Sequence, residues 1–112
     1  MDDCVFCKII RREIPANIIY ETGDLIAFND INPQAPVHIL IVPKKHYDTT
    51  NDIEDGSLYT KIYAAVAELV KSAGIKESGY RVVVNCNQEG GQVVFHVHFH
   101  LLGGRQLLGN LG

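Results

Sequence analysis

Three histidines alternate with other residues near the carboxyl end of the chain, at His96, His98 and His100. Side chains of a β-strand point to opposite faces in turn, so a strand over Val93–Leu102 would place all three imidazoles on one face. The other face would be apolar and would face the core; its residues are Val93, Phe95, Val97, Phe99 and Leu101. A row of imidazoles therefore predicts a reactive site rather than a passive surface.

Neighbouring imidazoles can take different roles in one reaction at phosphorus. A neutral imidazole is a competent nucleophile near neutral pH, because its reference pKa is about 6.5. Its neighbours can hold anionic oxygens by hydrogen bonding. One metal bound by all three is less favoured, since alternate residues lie about 6.6 Å apart along a strand whereas zinc ligands lie about 2.0–2.1 Å from the ion. Gly90-Gly91, just upstream, would let backbone amides approach a phosphate.

Cys4-x-x-Cys7 forms a second group of residues that could bind a metal. Two cysteines at this spacing can bind one zinc ion, and a closed site needs two further ligands, for which the histidines are candidates. The alternative is two small apolar cysteines in a short helix. Three cysteines are an odd count, with no evident partner for Cys86, and the amino terminus is acidic where a secretory signal would be basic. We therefore expect a reducing compartment, the cytoplasm.

The pattern of apolar residues and turn residues predicts the elements that must position these groups. Short strands are predicted at Ile18–Tyr20, Leu25–Asn29, Val37–Val42, Tyr80–Val84 and Val93–Leu102, with a short helix within Cys4–Arg12 and a long one over Glu54–Ala73. The long helix would end at a left-handed Gly74. Its apolar stripe consists of Leu58, Ile62, Ala65 and Leu69, widened by Tyr63, Val66 and Val70. Strands joined by turns around one helix favour an α+β domain with an antiparallel sheet.

Length and composition limit the classes of protein that fit. The chain has 112 residues, which suits a single domain over residues 1–112 with one core. Its 46% hydrophobic and 21% charged residues are typical of a globular domain. A net charge of -3 gives no basic field to hold a nucleic-acid polymer. No apolar run approaches the roughly 20 residues of a membrane helix.

The segment His96-Val97-His98-Phe99-His100-Leu101-Leu102 resembles the signature of the histidine-triad (HIT) family. Further segments resemble its Hint branch, the nucleoside phosphoramidate hydrolases: Lys8-Ile9-Ile10, Glu13-Ile14-Pro15, Pro33-Gln34-Ala35-Pro36, Pro43-Lys44-Lys45-His46, Tyr80-Arg81-Val82-Val83 and Leu102-Gly103-Gly104-Arg105-Gln106. The resemblance implies an α+β fold with five antiparallel strands, one long helix and a short amino-terminal helix. It also implies a homodimer that shares one continuous sheet.

The resemblance implies a substrate as well, a purine nucleotide such as AMP joined to an amine as a nucleoside 5'-phosphoramidate. His98 matches the nucleophile that forms a nucleotidyl-histidine intermediate, which water then releases as the nucleoside monophosphate. His100 matches a residue that contacts the phosphate. His38 matches a fourth histidine of the same pocket, although without the resemblance the apolar strand around it favours a hydrogen-bonded core histidine.

Other residues match the family's nucleotide contacts. They are Asp30 for the ribose hydroxyls, Phe6, Ile9 and Phe28 for an apolar base pocket, and Asn85 and Gly91 on the loop before the triad. Without the resemblance, the three apolar residues are more simply interpreted as core residues, and the asparagine could equally be a turn residue. Zinc-bearing members place two further ligands at positions that match His46 and His96, which would complete a structural zinc site with the two cysteines. The chemistry itself would need no metal.

The sequence departs from the family pattern in two places. Val93 stands where many Hint proteins have a serine whose hydroxyl assists the leaving group, so we expect a lower rate or another proton donor. The tail Leu107–Gly112 lacks an aromatic residue that some relatives carry. Because this tail helps to set substrate choice in the family, the resemblance does not indicate which leaving group this chain prefers.

Three alternative functions also fit the sequence. The chain could be a dinucleoside polyphosphate hydrolase or nucleotidyl transferase of the same family, a nucleotide-binding interaction module with weak catalysis, or a metalloenzyme with metal on the triad face. Turnover of several substrates separates the first two from a phosphoramidate hydrolase. Activity that survives exhaustive chelation would exclude the third.

Overall fold

The computed structural model describes residues 3–112. Residues 1 and 2 of the acidic amino terminus lie outside them. The elements, in chain order, are helix α1 (Val5–Ile10), strands β1 (Ile18–Glu21), β2 (Leu25–Asn29) and β3 (Val37–Pro43), a 3-10 turn (Thr50–Asp52), helix α2 (Ser57–Ser72), and strands β4 (Tyr80–Val84) and β5 (Phe99–Gly103). None of the helices within residues 3–112 has the length and hydropathy of a transmembrane span.

The five strands form one antiparallel sheet in the order β1-β2-β3-β5-β4. Strand β5 therefore lies between β3 and β4, where His100 pairs with Leu40 on one side and Val83 on the other. This confirms the predicted α+β fold, with five antiparallel strands, one long helix and a short amino-terminal helix. The central position of β5 gives its side chains a rigid backbone.

The sheet buries its two faces against different elements. Helix α2 covers one face, and the cluster there includes Leu25, Ala27, Ile39, Ile41, Ile62, Ala65, Val66, Leu69, Val70, Val97, Phe99 and Leu101. Helix α1 covers the other face in a smaller cluster of Phe6, Ile9, Ile26, Phe28, Leu40 and Val42. Because side chains alternate along β3 and β5, His38 and His100 fall on the α1 face.

The prediction of a strand over Val93–Leu102 is wrong in its first half. Val93 and Phe95 were expected in the core, but their exposed fractions are 87% and 46%. Strand β5 begins at Phe99, which lies opposite the last residue of β4, while Pro43 at the end of β3 has no N–H to donate to a ladder. The preceding segment is instead tied to the loop after β3, where Val97 N donates to the Tyr47 carbonyl at 2.8 Å.

The predicted helices were too long at their ends. Helix α2 begins at Ser57 rather than Glu54, because Asp52 forms a capping box with Thr49 on the 3-10 turn before it. Tyr63 was expected in the buried stripe but is 54% exposed. The left-handed Gly74 was predicted correctly, with φ of +72°.

Candidate functional site

Three histidines converge on one cavity of about 510 Å³ on the α1 face of the sheet. His38 comes from β3, His100 from β5, and His98 from the residue before β5. The cavity is also lined by the predicted nucleotide contacts Phe6, Ile9, Phe28 and Asp30. The structure thus brings together seven of the residues that the sequence analysis selected.

His98 is held in one tautomer by the backbone. Its Nδ1 lies 2.8 Å from the carbonyl oxygen of His96, and a carbonyl can only accept, so Nδ1–H is the donor. In the neutral ring the lone pair is then on Nε2. Burial lowers the pKa of His98, opposed by the His96 carbonyl and by Asp30. Near neutral pH this imidazole is therefore uncharged, with Nε2 available as a nucleophile.

His38 and His100 form a hydrogen-bonded relay whose direction is set by a peptide N–H. The amide of Gln34 donates to Nδ1 of His38 at 3.0 Å, which leaves the proton of the neutral His38 ring on Nε2. That Nε2 lies 2.9 Å from Nδ1 of His100 and donates to it. His100 in its neutral form consequently keeps its own proton on Nε2. A peptide group thereby makes His100 a donor at its free nitrogen.

Burial keeps both members of the relay neutral. It lowers the pKa of His100 to about 4, with smaller contributions from His98 and His38. Burial also lowers the pKa of His38, against the attraction of Asp30, whose Oδ2 lies 3.5 Å from Nε2 of His38. Because His38 and His100 are both neutral, each carries its single ring proton on Nε2, as assigned above.

These lowered pKa values predict that acid destabilises the fold. Histidines of the unfolded chain titrate near pH 6.5, so from there down to about pH 4 the unfolded chain binds more protons than the folded one. Stability that is complete above pH 6.5 is therefore lost as the pH falls, by up to about 1.4 kcal/mol per pH unit for each such histidine. Urea unfolding between about pH 7 and pH 5 measures this slope. We expect His100→Gln to have a shallower slope than wild type; equal slopes would contradict the assignment.

The apolar half of the cavity is built largely by α1. The Phe6 ring meets the Phe28 ring edge-on at a centroid distance of 5.6 Å and the His98 ring at 5.1 Å. Ile9 lies one helical turn further along the same helix. At the polar end Asp30 accepts the backbone N–H of Asn32 through Oδ1 at 2.8 Å. The cavity therefore offers an apolar wall, a carboxylate and a group of imidazoles, which is the set of contacts that a nucleotide needs.

Asn85 and Gly91 are not among the residues lining this cavity. The Asn85 side-chain amide donates to the Gly90 carbonyl at 2.7 Å and holds the loop after β4 closed. Gly90 has a packing role, since a Cβ there would lie 2.3 Å from the carbonyl oxygen of Cys86. Their contact with substrate stays a prediction. Val93, two residues beyond Gly91, does line the cavity.

Cys86 has hydrogen-bond partners that the sequence analysis did not foresee. Its thiol is hydrogen-bonded by the Thr50 side chain, and this bond is the main cause of a lowered pKa for Cys86. Thr49 and the backbone of Asn51 and Thr50 add to the effect. Cys86 is thereby tied to the 3-10 turn, away from the other two cysteines.

Cys4, Cys7, His46 and His96 form a second cluster, whose ligand atoms all lie within 4.8 Å of one another. Nδ1 of His96 lies 3.3 Å from Sγ of Cys4 and 3.6 Å from Sγ of Cys7, and Nδ1 of His46 lies 3.3 Å from Sγ of Cys7. Sulfur and nitrogen atoms bound to one tetrahedral zinc are separated by about 3.5 Å. The four residues therefore fit a metal ion such as zinc.

The outer nitrogens of these two histidines have the partners expected around a metal site. Nε2 of His96 donates to the Pro43 carbonyl at 2.8 Å, and Nε2 of His46 donates to Oδ1 of Asp48 at 2.6 Å. Each bond leaves the bare Nδ1 directed at the cysteines. Burial raises the pKa of Cys7, and the neighbouring Cys4 thiol raises it further. A bound cation would lower this pKa and so favour the thiolate form of Cys7.

Several residues of both sites were missed in the sequence. Asp48 follows His46 at the short spacing of a His-x-Asp pair, a signal that was available. Gln34 and Pro43 act through their backbone groups, and because every residue has a backbone, the type of side chain does not indicate such a role. His96 also differs from its predicted setting. It leaves the strand and turns away from the cavity of His98 and His100 into the cysteine cluster, as the resemblance implied.

Comparison with known proteins agrees with this geometry. The model of the HIT domain matches residues 11–107. The chain belongs to the HIT family. It is 46% identical over 108 residues to the purine nucleoside phosphoramidase of Escherichia coli (strain K12), covering 95% of this chain and 91% of that protein. The match to the family model begins after Cys4 and Cys7, so it does not include the two cysteines of the cysteine–histidine cluster.

Solved structures give the same assignment. A histidine triad protein from Clostridium difficile has a TM-score of 0.95 at 44% identity and covers 99% of this chain and 98% of its own. A histidine triad nucleotide-binding protein from Candida albicans has a TM-score of 0.83 at 34% identity, covering 98% of this chain and 87% of its own. The triad, the α1 wall and the relay therefore belong to a HIT fold.

Proposed function

We propose that this chain hydrolyses the P–N bond of purine nucleoside 5'-phosphoramidates through a nucleotidyl-His98 intermediate. The observation that carries the proposal is the orientation of His98, whose Nδ1–H is bonded to a carbonyl so that Nε2 is a free nucleophile in the cavity. The 46% identity to a purine nucleoside phosphoramidase supports the choice of substrate.

The cavity orients the substrate before the reaction. The purine ring would lie against Phe6, Ile9 and Phe28, and Asp30 would accept hydrogen bonds from the ribose hydroxyls. The α-phosphorus would then lie next to the imidazoles, because all of these groups line the same cavity. Fixing the reacting atoms in this way supplies part of the rate enhancement.

His98 Nε2 attacks phosphorus with its lone pair, and the bond between phosphorus and the amine nitrogen breaks. His100 donates Nε2–H to a non-bridging phosphate oxygen, where negative charge grows in the transition state. The departing nitrogen takes up a proton from solvent water. A second water then attacks phosphorus and gives its proton back to solvent, the bond to His98 breaks, and the nucleoside monophosphate leaves with the ring returned to its starting tautomer.

The position of Val93 at the cavity mouth predicts that departure of the amine is slow. Its side chain is 87% exposed and carries no proton to give. We expect Val93→Ser to raise the single-turnover rate of P–N cleavage by about tenfold, because a positioned donor assists proton transfer to the leaving group. Val93→Thr adds the hydroxyl at nearly constant volume and should act in the same direction. Unchanged rates in both variants would remove this role for position 93.

We infer that Cys4, Cys7, His46 and His96 hold a structural zinc ion. The set of two thiols and two imidazoles is that of a closed tetrahedral site, and the spacing of the ligand atoms fits it. When bound, zinc would supply crosslinking of α1 to the loop after β3 and to the segment before β5, and no step of the reaction. Metal content after purification without chelator tests this assignment.

We also propose that two chains pair through β4 to form one continuous sheet. Strand β4 is an edge of the sheet, and Tyr80 and Val84 at its ends are exposed. Tyr59 and Tyr63 expose further aromatic surface on α2. An unpaired edge beside apolar side chains favours association. Sedimentation velocity should show a dimer, and Val84→Asp, which puts a charge on this exposed edge, should weaken it.

The geometry disfavours a catalytic metal on the triad face. Asp30, His38 and His100 do bring ligand atoms within 4.8 Å of one another. However, the two imidazole nitrogens that face each other are hydrogen-bonded at 2.9 Å, and the remaining nitrogen of His38 accepts a peptide N–H. Both nitrogens of His38 and Nδ1 of His100 are therefore already engaged, and the remaining Nε2 of His100 carries a proton in this tautomer, so it offers no lone pair to a metal. Turnover after exhaustive chelation should therefore persist.

Hydrolysis of adenosine 5'-phosphoramidate, followed by release of AMP, tests the proposed function. We expect turnover by the purified wild type that exceeds its turnover of a dinucleoside polyphosphate. A folded protein that binds AMP but hydrolyses neither substrate would instead be a nucleotide-binding module. Preference for the polyphosphate would assign the other hydrolase activity of this fold.

A further inference from the structure

We propose that Arg105 is a positioning residue for this reaction, acting through the Gln34 peptide and His38 on the proton of His100. The inference rests on the proposed function, since it assigns His100 a donor role. Arg105 is not among the residues that line the cavity, and it lies in the exposed segment after β5.

Arg105 connects the carboxyl-terminal segment to the loop of residues 30–36. Its Nη2 donates to the Gln34 carbonyl at 2.9 Å, and its Nη1 donates to the Gln106 carbonyl at 2.8 Å. The preceding Gly104 has φ of +94°, and a Cβ there would lie 2.9 Å from Cβ of Pro36. The segment after β5 therefore packs directly on the loop, with the guanidinium holding the peptide.

The loop has few other restraints. Within it Asn32 N donates to Asp30 Oδ1, and the Gln34 side-chain amide donates to the Asn32 carbonyl at 3.2 Å. Among the side-chain hydrogen bonds of residues 31–36 that the structure describes, the one from Arg105 is the only one from outside residues 30–38. Arg105 thus restrains the loop by hydrogen bonding, in addition to the packing of Pro36 against Gly104.

Gln34 links this restraint to the reacting groups. Its carbonyl receives Arg105, while its own N–H donates to Nδ1 of His38 at 3.0 Å. If the loop moved, Nδ1 of His38 would lose its donor and could carry the proton itself. The relay would then reverse, with Nδ1 of His100 donating to His38, and Nε2 of His100 would present a lone pair to the phosphate. A lone pair there repels the oxygen that the proton would stabilise.

Histidine ¹⁵N NMR together with kinetics tests the proposal on Arg105→Gln, Arg105→Lys and Arg81→Gln. Arg81 is the matched control because its Nη2 also donates to a carbonyl of the same tail, that of Leu108, at 2.8 Å, without reaching Gln34. All variants are compared at a protein concentration where each has the wild-type oligomeric state and cooperative unfolding.

In wild type and Arg81→Gln we expect Nδ1 of His38 to be unprotonated and Nε2 to be protonated. In Arg105→Gln we expect a mixture of tautomers and a kcat about tenfold lower, with partial recovery in Arg105→Lys. Wild-type tautomers and kcat in Arg105→Gln would overturn the proposal, as would equal losses in both glutamine variants. If wild type shows no turnover while the tautomers of Arg105→Gln still shift, the proposed function fails and the positioning role stands.

Discussion

Replacing His98 with alanine is expected to lower the single-turnover rate of adenosine 5'-phosphoramidate hydrolysis by at least about 10⁴-fold, because it removes the atom that bonds to phosphorus. The remaining groups of the cavity still bind the nucleotide but have no nucleophile to direct at it. AMP affinity should change far less, since the apolar wall and Asp30 are retained. Rapid-mixing kinetics and AMP titration measure the two effects separately.

His100→Ala is the comparison variant for this experiment. It removes a hydrogen-bond donor rather than the nucleophile, so we expect a loss of about 10²–10³-fold. Cooperative unfolding of both variants shows that the fold is retained. Equal rates for His98→Ala and wild type would exclude His98 as the nucleophile. Losses of equal size in His98→Ala and His100→Ala would contradict the assignment of separate roles, nucleophile and hydrogen-bond donor, to the two histidines.

Removing the proposed zinc ion is expected to weaken AMP binding about tenfold, although none of the four residues proposed to bind it lines the cavity. Cys4 is the amino-terminal cap of α1 and Cys7 lies within it. Between them Phe6 forms the cavity wall against His98. A six-residue helix does not hold together by itself, so loss of its crosslink should loosen this wall.

The measurement is AMP titration of zinc-loaded and chelator-treated protein, and of Cys7→Ser. Cys86→Ser is the matched control, because Cys86 pairs with Thr50 and lies outside the cluster. Linkage requires the reverse effect as well, so AMP should raise the affinity for zinc by the same factor. Zinc binding with unchanged AMP affinity would show that the metal site and the cavity are independent. Absence of zinc binding would contradict the proposed metal site but not the proposed hydrolysis, which needs no metal.

The fold could be predicted from the sequence because its signals are local. Apolar stretches bounded by Gly and Pro mark the strands, and a helical stripe marks α2. The alternation rule correctly placed Phe99 and Leu101 in the core. It failed at Val93 and Phe95, because periodicity does not reveal that neither β3 nor β4 extends far enough to pair with them.

The residues of the candidate site could be predicted, whereas their states could not. Side-chain type indicated a nucleophilic imidazole in the triad and Cys4 with Cys7 as metal ligands, and the family resemblance indicated His98 as the nucleophile. The proton positions depend on backbone groups far away in the chain, such as the Gln34 amide on His38. Every residue carries such groups, so no sequence pattern marks the few that matter. The same reason hides the contact of Arg105 with the loop.

The central claim is that phosphorus becomes bonded to His98, and the most direct test is to trap that bond. Wild-type protein is mixed with adenosine 5'-phosphoramidate, quenched within a single turnover and digested, and the peptides are analysed by mass spectrometry. We expect one adenylyl group on the peptide containing the triad, assigned to His98 by fragmentation and absent from His98→Ala. An adduct on another residue, or rapid turnover with no adduct at any quench time, would contradict the account.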